Sequence, residues 1–452
     1  IFFPGYLSFD SAHQWWQARH NAISTLSPPG QVLLLRALAL PFGSLLPGGA
    51  PTALYALNIA AFWACVAYVA VTQRTRCASL AVLAVFACCP TQWIILPHVW
   101  SDVTLAVCLM LVCVLLDASA RTIANDIRAK CLVLVACVIL VGSALLRHNA
   151  VFAIVPLAWW ASVRWRALTG SASSWGSRAR YLPVFAGTAA LLAIAISAYL
   201  VVPRWVAKER ADTWAITLIW DLQAMSVRSG QVLVPPSICD NATLEDLRQS
   251  FDPVFGINMY VKSKARWVNA ATGLAAQQRS DLLGAWAQAA ANHPSAYLRH
   301  RWHVFINTLG PKANREADGS ADEPMRYVFN DNPRVELVSS TAHTRARQAI
   351  AWLKPQLWAS PLAWIVISSS VLLGVGLRSR ASPTRSASAD SRIAAVIWLS
   401  AMFYLVPLFI ALPSSEMRYV LWPTLACVLS ACIALRGLIS ETNPSVTRTV
   451  WA

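Results

Sequence analysis

The sequence predicts an all-α polytopic membrane protein, with about nine to ten transmembrane helices and one extramembrane, mostly helical domain. Three observations predict it. Of the 452 residues, 57% are hydrophobic and only 13% charged, whereas a soluble domain carries about a quarter charged residues. Apolar stretches approaching the ~20 residues needed to cross about 30 Å of hydrocarbon recur along the chain. The connections between these stretches alternate between basic and non-basic.

The formal net charge of +16 raises nucleic acid as a partner. In a membrane protein the same excess comes from the Lys and Arg that hold loops in the cytoplasm, and the alternation favours that origin, so no nucleic acid is expected. Of the 11 cysteines only Cys239 falls in a long polar region; the others lie in or beside apolar runs, where Cys acts as a small hydrophobe. No disulfide framework or zinc spacing is present.

Taken in order, the chain opens with a loop, 1–50, whose segment QVLLLRALALPFGSLLP (31–47) is interrupted by Arg36, Pro41 and Gly43 and reads as an interfacial or re-entrant piece. Spans are expected at 51–72, 78–97, 101–117, 130–146, 149–163 and 181–203, completing a first transmembrane module over 1–203. Residues 204–355 form the one extramembrane segment long enough for a domain, with mixed charge, Pro235 and Pro236, and the helical-looking DLLGAWAQAAANHPSAYLRHRWHVFINTLG. Within it NREADGSADEPM reads as a flexible loop. A C-terminal transmembrane module, 356–452, holds spans at 356–377, 393–412 and 418–436, with RSRASPTRSASADSR (378–392) as a solvated linker.

Sides follow from Lys and Arg. The loops carrying Arg74 and Arg76; Arg121, Arg128 and Lys130; Arg164, Arg166, Arg178 and Arg180; and Arg378, Arg380, Arg385 and Arg392 belong in the cytoplasm. The opening stretch and the segments 97–100, 147–149, 204–355 and 413–417 then lie on the opposite face, and the tail from Arg436 is cytoplasmic. If the intact protein starts in the cytoplasm, about 20 further apolar residues are expected upstream of Ile1.

This topology sends Asp10, His13, Arg19, His20, His98, Asp102, Arg147, His148, Glu416 and Arg418 to one surface from separate loops. Ionisable groups are costly near hydrocarbon, and a shared polar cavity accounts for them economically. Each has a plainer reading. Asp10 and Asp102 suit helix N-caps; Arg147 in LLRHNA suits snorkelling to the interface. The functional readings are a general base for Asp10 and a supporting carboxylate or cation ligand for Asp102. His98 then donates a hydrogen bond to an anion, and Arg147 or Arg418, with Glu416 as its partner, grips a phosphate. YLRHRWHVF, with Arg299, His300, Arg301 and His303, reads as a basic helix lying on lipid headgroups. Trp15, Trp16, Trp159 and Trp160 read as interfacial belt residues, with sugar stacking open for Trp15 and Trp16.

The stretches PGYLSFDSAHQWW, WSDVTLA, LLRHNA, HPSAYLRHRW and EMRYVLWPTLA, in this order on this architecture, resemble the GT-C class of polytopic glycosyltransferases, which includes protein O-mannosyltransferases and lipid A aminoarabinose transferases. The resemblance covers essentially the whole chain in architecture and rests on short motifs. It implies a sugar donor on a polyprenyl phosphate and a lipid, glycan or protein acceptor in the cell envelope. Asp10 would be the catalytic carboxylate in the first outer loop. The substrate-binding residues would be Asp102, His98, Arg147, His148, Glu416, Arg418 and His13, with the arginines gripping the lipid-linked phosphate. Many members carry a second acidic residue beside the first; Ser11 stands there in this chain, so a divalent cation is allowed rather than required. Membrane lipids are the other expected partner, and the expected location is a bacterial inner membrane, multi-pass, with the site facing the periplasm. A secondary transporter or flippase is the rival class, although no paired internal repeats are evident. An O-antigen ligase or polymerase is the rival within enzymes.

Overall fold

The computed structural model describes residues 2–122, 126–169, 181–310, 327–336, 340–381 and 385–442, and they are mostly helical. Among the described residues, six helices are long and apolar enough to cross a membrane: Gly49–Val71, Ser101–Arg121, Leu182–Val206, Pro361–Arg378, Ala389–Ala411 and Met417–Gly437. Their burial orders them. Met417–Gly437 is 94% buried and Ser101–Arg121 72%, so these two form the centre of the bundle; Leu182–Val206 and Pro361–Arg378, at 17% each, line its outside. Helices apolar on nearly every face have nothing to gain by exposing one side to water, and the outer pair presents Phe185, Ile194, Leu200, Val366, Ile367 and Leu373 outward.

Three expected spans take a different form. The expected 78–97 span is two helices, Arg76–Cys88 and Pro90–Ile95, because Pro90 has no amide hydrogen to donate and holds Cys89 in an extended conformation. At a rise of 1.5 Å per residue, the 13-residue Arg76–Cys88 covers only about 20 Å. The expected 130–146 and 149–163 spans are the 17-residue Ile127–Ser143, which packs against Ser101–Arg121, and the 19-residue Ala150–Leu168, which packs between Leu182–Val206 and Arg385–Ala411. Segment 31–47 holds the helix Gly30–Phe42, with Leu40 and Leu45 strongly exposed.

The expected linker 378–392 is helical where described, since Pro361–Ala381 ends and Arg385–Ala411 begins inside it. Nor is Arg436 in a tail; it is buried in the helix Leu421–Thr442. Its Nη1 and Nη2 donate to Asp117 at 3.0 and 2.9 Å, and Nη2 also donates to Asp390 at 2.8 Å. Arg121 joins the same two carboxylates at 3.1 Å each, and Tyr68 Oη donates to Asp117 at 3.0 Å. Asp390 is helical and buried because these cations compensate it.

The segment expected outside the membrane has its own apolar core, formed by Ile219, Leu222, Met225, Ile238, Leu247, Met259, Leu274 and Leu282. Six of these side chains come from the helices Thr213–Ser229, Leu244–Ser250, Asn258–Lys262 and Ala276–Asn292; Ile238 and Leu274 come from connections, Ile238 directly before the two-stranded antiparallel pairing of Cys239–Asp240 with Arg266–Trp267. The helical-looking run 281–310 breaks at Pro294 into Ala276–Asn292 and Pro294–Leu309. On the second of these, Arg299, Trp302 and His303 are exposed while His300 and Arg301 are buried, so Arg301 does not face lipid headgroups. NREADGSADEPM lies outside the described residues. Beyond it, residues 327–336 run across the opening helix Phe9–His20, where Tyr327 N donates to Leu7 O and Asn332 Nδ2 to Ala12 O. Trp15 and Trp160 are core residues rather than belt residues, and Trp159 stands edge-on to Phe185.

Candidate functional site

The opening stretch is held by side-chain and backbone bonds to the 97–100 loop. Tyr6 N donates to Pro97 O at 2.8 Å and Val99 N to Tyr6 O at 3.1 Å, while Ser11 Oγ and Gln31 Nε2 both donate to Val99 O at 2.8 Å. Trp100 Nε1 donates to Ser8 Oγ at 2.7 Å. Ser8, not Asp10, caps the first helix, its hydroxyl accepting from Ser11 N at 3.4 Å. Asp10 sits second in that helix and is free of capping. Asp102 likewise is second in the helix Ser101–Arg121, which has no side-chain cap.

Both carboxylates face arginines. Arg418 Nη1 lies 2.6 Å from Asp10 Oδ2, and its Nε is in contact with Glu416. Arg147 Nε lies 3.1 Å from Asp102 Oδ1, an ion pair without an aligned hydrogen bond. Arg147 therefore points inward instead of snorkelling. Tyr419 joins the two pairs, its ring centroid 5.0 Å from the Arg147 guanidinium carbon and 5.3 Å from that of Arg418. Trp100 supports Arg418 from another side at 5.1 Å. Guanidinium groups held over aromatic faces keep their charge while losing little freedom.

Asp10 has a side-chain exposure of 50%, against 13% for Arg418, so the carboxylate is half open to its surroundings while its partner is largely covered. The surrounding protein desolvates Asp10, which alone would raise its pKa, but the Arg418 charge and hydrogen bond, helped by Arg147 and His13, hold it below the ordinary 3.8. Burial raises the Glu416 pKa above its ordinary 4.5 in spite of Arg418.

The histidines are placed differently. His98 is fully buried, stacked on Trp100 at 3.9 Å, with burial holding its pKa at about 3; it is a neutral support for Trp100. His148 Nδ1 is bonded to Tyr199 Oη at 2.6 Å, so its ring is committed to the Leu182–Val206 helix. His13 forms part of a ring stack beside Asp10, between Phe9 and Trp16 and against Phe329 at 4.8 Å, and shares a hydrogen bond with Gln17 at 3.3 Å. His20 and Arg19 pair with Asp331 on the crossing segment, at 3.1 and 3.6 Å.

The structure thus brings Asp10, Glu416, Arg418, Arg147 and Asp102 together and turns His148 elsewhere. Two members were not singled out by sequence: Tyr419, which stands next to Arg418 in EMRYVLW, and Trp100, inside PHVWSD. A divalent cation does not suit this arrangement, because each carboxylate already faces a guanidinium. Among the described residues no group of three or more His, Cys, Asp or Glu is gathered for a metal. No family model, curated protein sequence or solved structure matches the chain.

Proposed function

We propose that this chain is an integral membrane glycosyltransferase that moves a sugar from a polyprenyl-phosphate donor to a lipid, glycan or protein acceptor of the cell envelope, at the non-cytoplasmic face. The reading includes Arg76–Cys88, Ile127–Ser143 and Ala150–Leu168 among nine crossing segments, which agrees with the side on which each basic loop falls. The observation that carries it is the half-exposed Asp10 carboxylate 2.6 Å from a seated arginine, with a second arginine on the same tyrosine.

The chemistry is a single displacement. The acceptor oxygen or nitrogen attacks the anomeric carbon; its proton passes to Asp10, the bond from that carbon to the phosphate oxygen breaks, and the polyprenyl phosphate leaves with the electron pair. Negative charge grows on the leaving phosphate, where fixed guanidinium groups stabilise it without reorganising. An incoming phosphate competes with Asp10 and Glu416 for Arg418. Glu416, with its raised pKa, is the carboxylate best able to take a proton when that happens. Asp10, once released from its counter-charge, becomes the stronger base.

The test is mass spectrometry of envelope lipids and glycans from cells carrying the wild-type chain or none. Loss of one sugar modification in the null cells supports the reading. An unchanged profile with altered uptake of a small solute would assign the chain to transport.

A further inference from the structure

We infer that Arg301, in the outer segment, is a positioning residue for Arg418: it fixes the loop that carries Glu416 and Arg418 into the site. Arg301 is fully buried, and its Nη1 donates to Leu412 O at 2.8 Å. Its Nη2 donates to Thr217 O at 3.2 Å and pairs with Asp221 Oδ2 at 2.6 Å. Trp286 Nε1 donates to the same carboxylate at 3.0 Å. A buried charge is expensive, and an apolar side chain would fill this core at lower cost, so packing alone does not explain an arginine here. Leu412 directly follows the helix Arg385–Ala411, whose last carbonyls lack helical donors and carry the negative end of the dipole. A guanidinium answers both needs.

The rest of the loop is gripped by the same segment. Ser415 N donates to Val254 O at 2.8 Å, Ser415 Oγ to Val304 O at 3.2 Å, and Gly256 N to Pro413 O at 3.2 Å. Gly256 has no room for a side chain, since a Cβ there would lie 2.8 Å from Pro413 O and 3.0 Å from the Trp220 ring. The 254–256 turn is itself tied down by Asp252, which accepts from Val254 N and Phe255 N and from Asn258 and Lys262. Every residue from Leu412 to Ser415 except Pro413 is buried. With Leu412 only six positions before Arg418, the loop has little slack, and a displacement at Leu412 moves the guanidinium that faces Asp10.

The inference rests on the proposed reaction for its kinetic readout. The full chain, reconstituted in lipid nanodiscs, is compared with Arg301→Met, Arg301→Lys and Gly256→Ala, using a polyprenyl-phosphate sugar as donor. A misplacement of about 1 Å can cost on the order of 100-fold in rate, so the expected result is a donor KM raised about tenfold or more in Arg301→Met and Gly256→Ala. The acid limb of kcat/KM should shift upward as Arg418 loosens from Asp10, with partial recovery in Arg301→Lys. Lower yield with unchanged KM and unchanged acid limb would make Arg301 merely structural and overturn the inference. If Arg301→Met does not fold, Gly256→Ala and Arg301→Lys decide. If the wild-type chain transfers no sugar from any such donor, the proposed function fails separately. Hydrogen exchange of amides 414–418 then decides the inference: faster exchange in Gly256→Ala and in whichever Arg301 variants fold supports it, and exchange equal to wild type overturns it.

Discussion

Arg418 Nη1 and Asp10 Oδ2 lie 2.6 Å apart although 408 positions separate them in the chain. The helix Phe9–His20 and the start of Met417–Gly437 are thereby joined at one point, and Arg147 with Asp102 closes the group from a third direction.

Removing Arg418 changes the acidity of its partner. Asp10 has a depressed pKa, so its ionised form is fully present above the ordinary 3.8 and is lost only as pH falls through the lower folded value. In Arg418→Gln the desolvation remains and the counter-charge is gone, so the carboxyl should protonate at higher pH. The acid limb of residual kcat/KM should rise, or, if no activity remains, infrared difference titration should show the shift. An unmoved titration would mean that Arg418 does not govern Asp10.

Arg147→Gln leaves Asp102, which is 2% exposed on its side chain, without its ion-pair partner. Breaking such a buried pair costs about 3–5 kcal/mol, whereas the double variant Arg147→Gln with Asp102→Asn removes both charges and should recover part of it. Unfolding in detergent across the four proteins measures the coupling. Additive losses would show that the two residues do not interact.

At the far end of the same central helix, Asp117 is 15 positions from Asp102, about 22 Å away along the axis. Arg436→Met should therefore destabilise the bundle by about 3–5 kcal/mol through Asp117 and Asp390, yet leave donor KM unchanged in the folded fraction. A changed KM would tie the two ends together.

Asp252 provides a pH test of the 204–355 segment. Burial opposes its ionisation, but Lys262, Asn258 and two backbone amides outweigh that and bring its pKa from 3.8 to about 2. Its stabilisation is complete above pH 3.8 and is lost as pH falls towards 2, and a shift of this size corresponds to about 2 kcal/mol. Asp252→Asn should lose that acid-sensitive portion in denaturant unfolding followed by hydrogen exchange of the amides in Thr213–Ser229 and Leu244–Ser250. A parallel pH dependence in variant and wild type would contradict it.

The helical class and the grouping of Asp10, Arg147 and Arg418 were legible because both depend on apolar length and on which loops are basic. What sequence missed depends on partners far along the chain. Arg301 sits among the exposed Arg299, Trp302 and His303, and only its angular position on the helix sends it inward to Leu412. Asp390 looked solvated in a serine-rich stretch because the cations that bury it, Arg121 and Arg436, belong to other helices. The break at Cys89–Pro90 was readable in principle, since proline disfavours the helical conformation of the residue before it.

The most direct test of the central claim is transfer from a polyprenyl-phosphate sugar by the purified chain in nanodiscs, wild type against Asp10→Asn. Asn keeps the shape and cannot accept the proton, so the account requires a fall in kcat of about 10²–10⁴-fold in a protein that still folds and still binds polyprenyl phosphate. Full activity in Asp10→Asn would contradict the account.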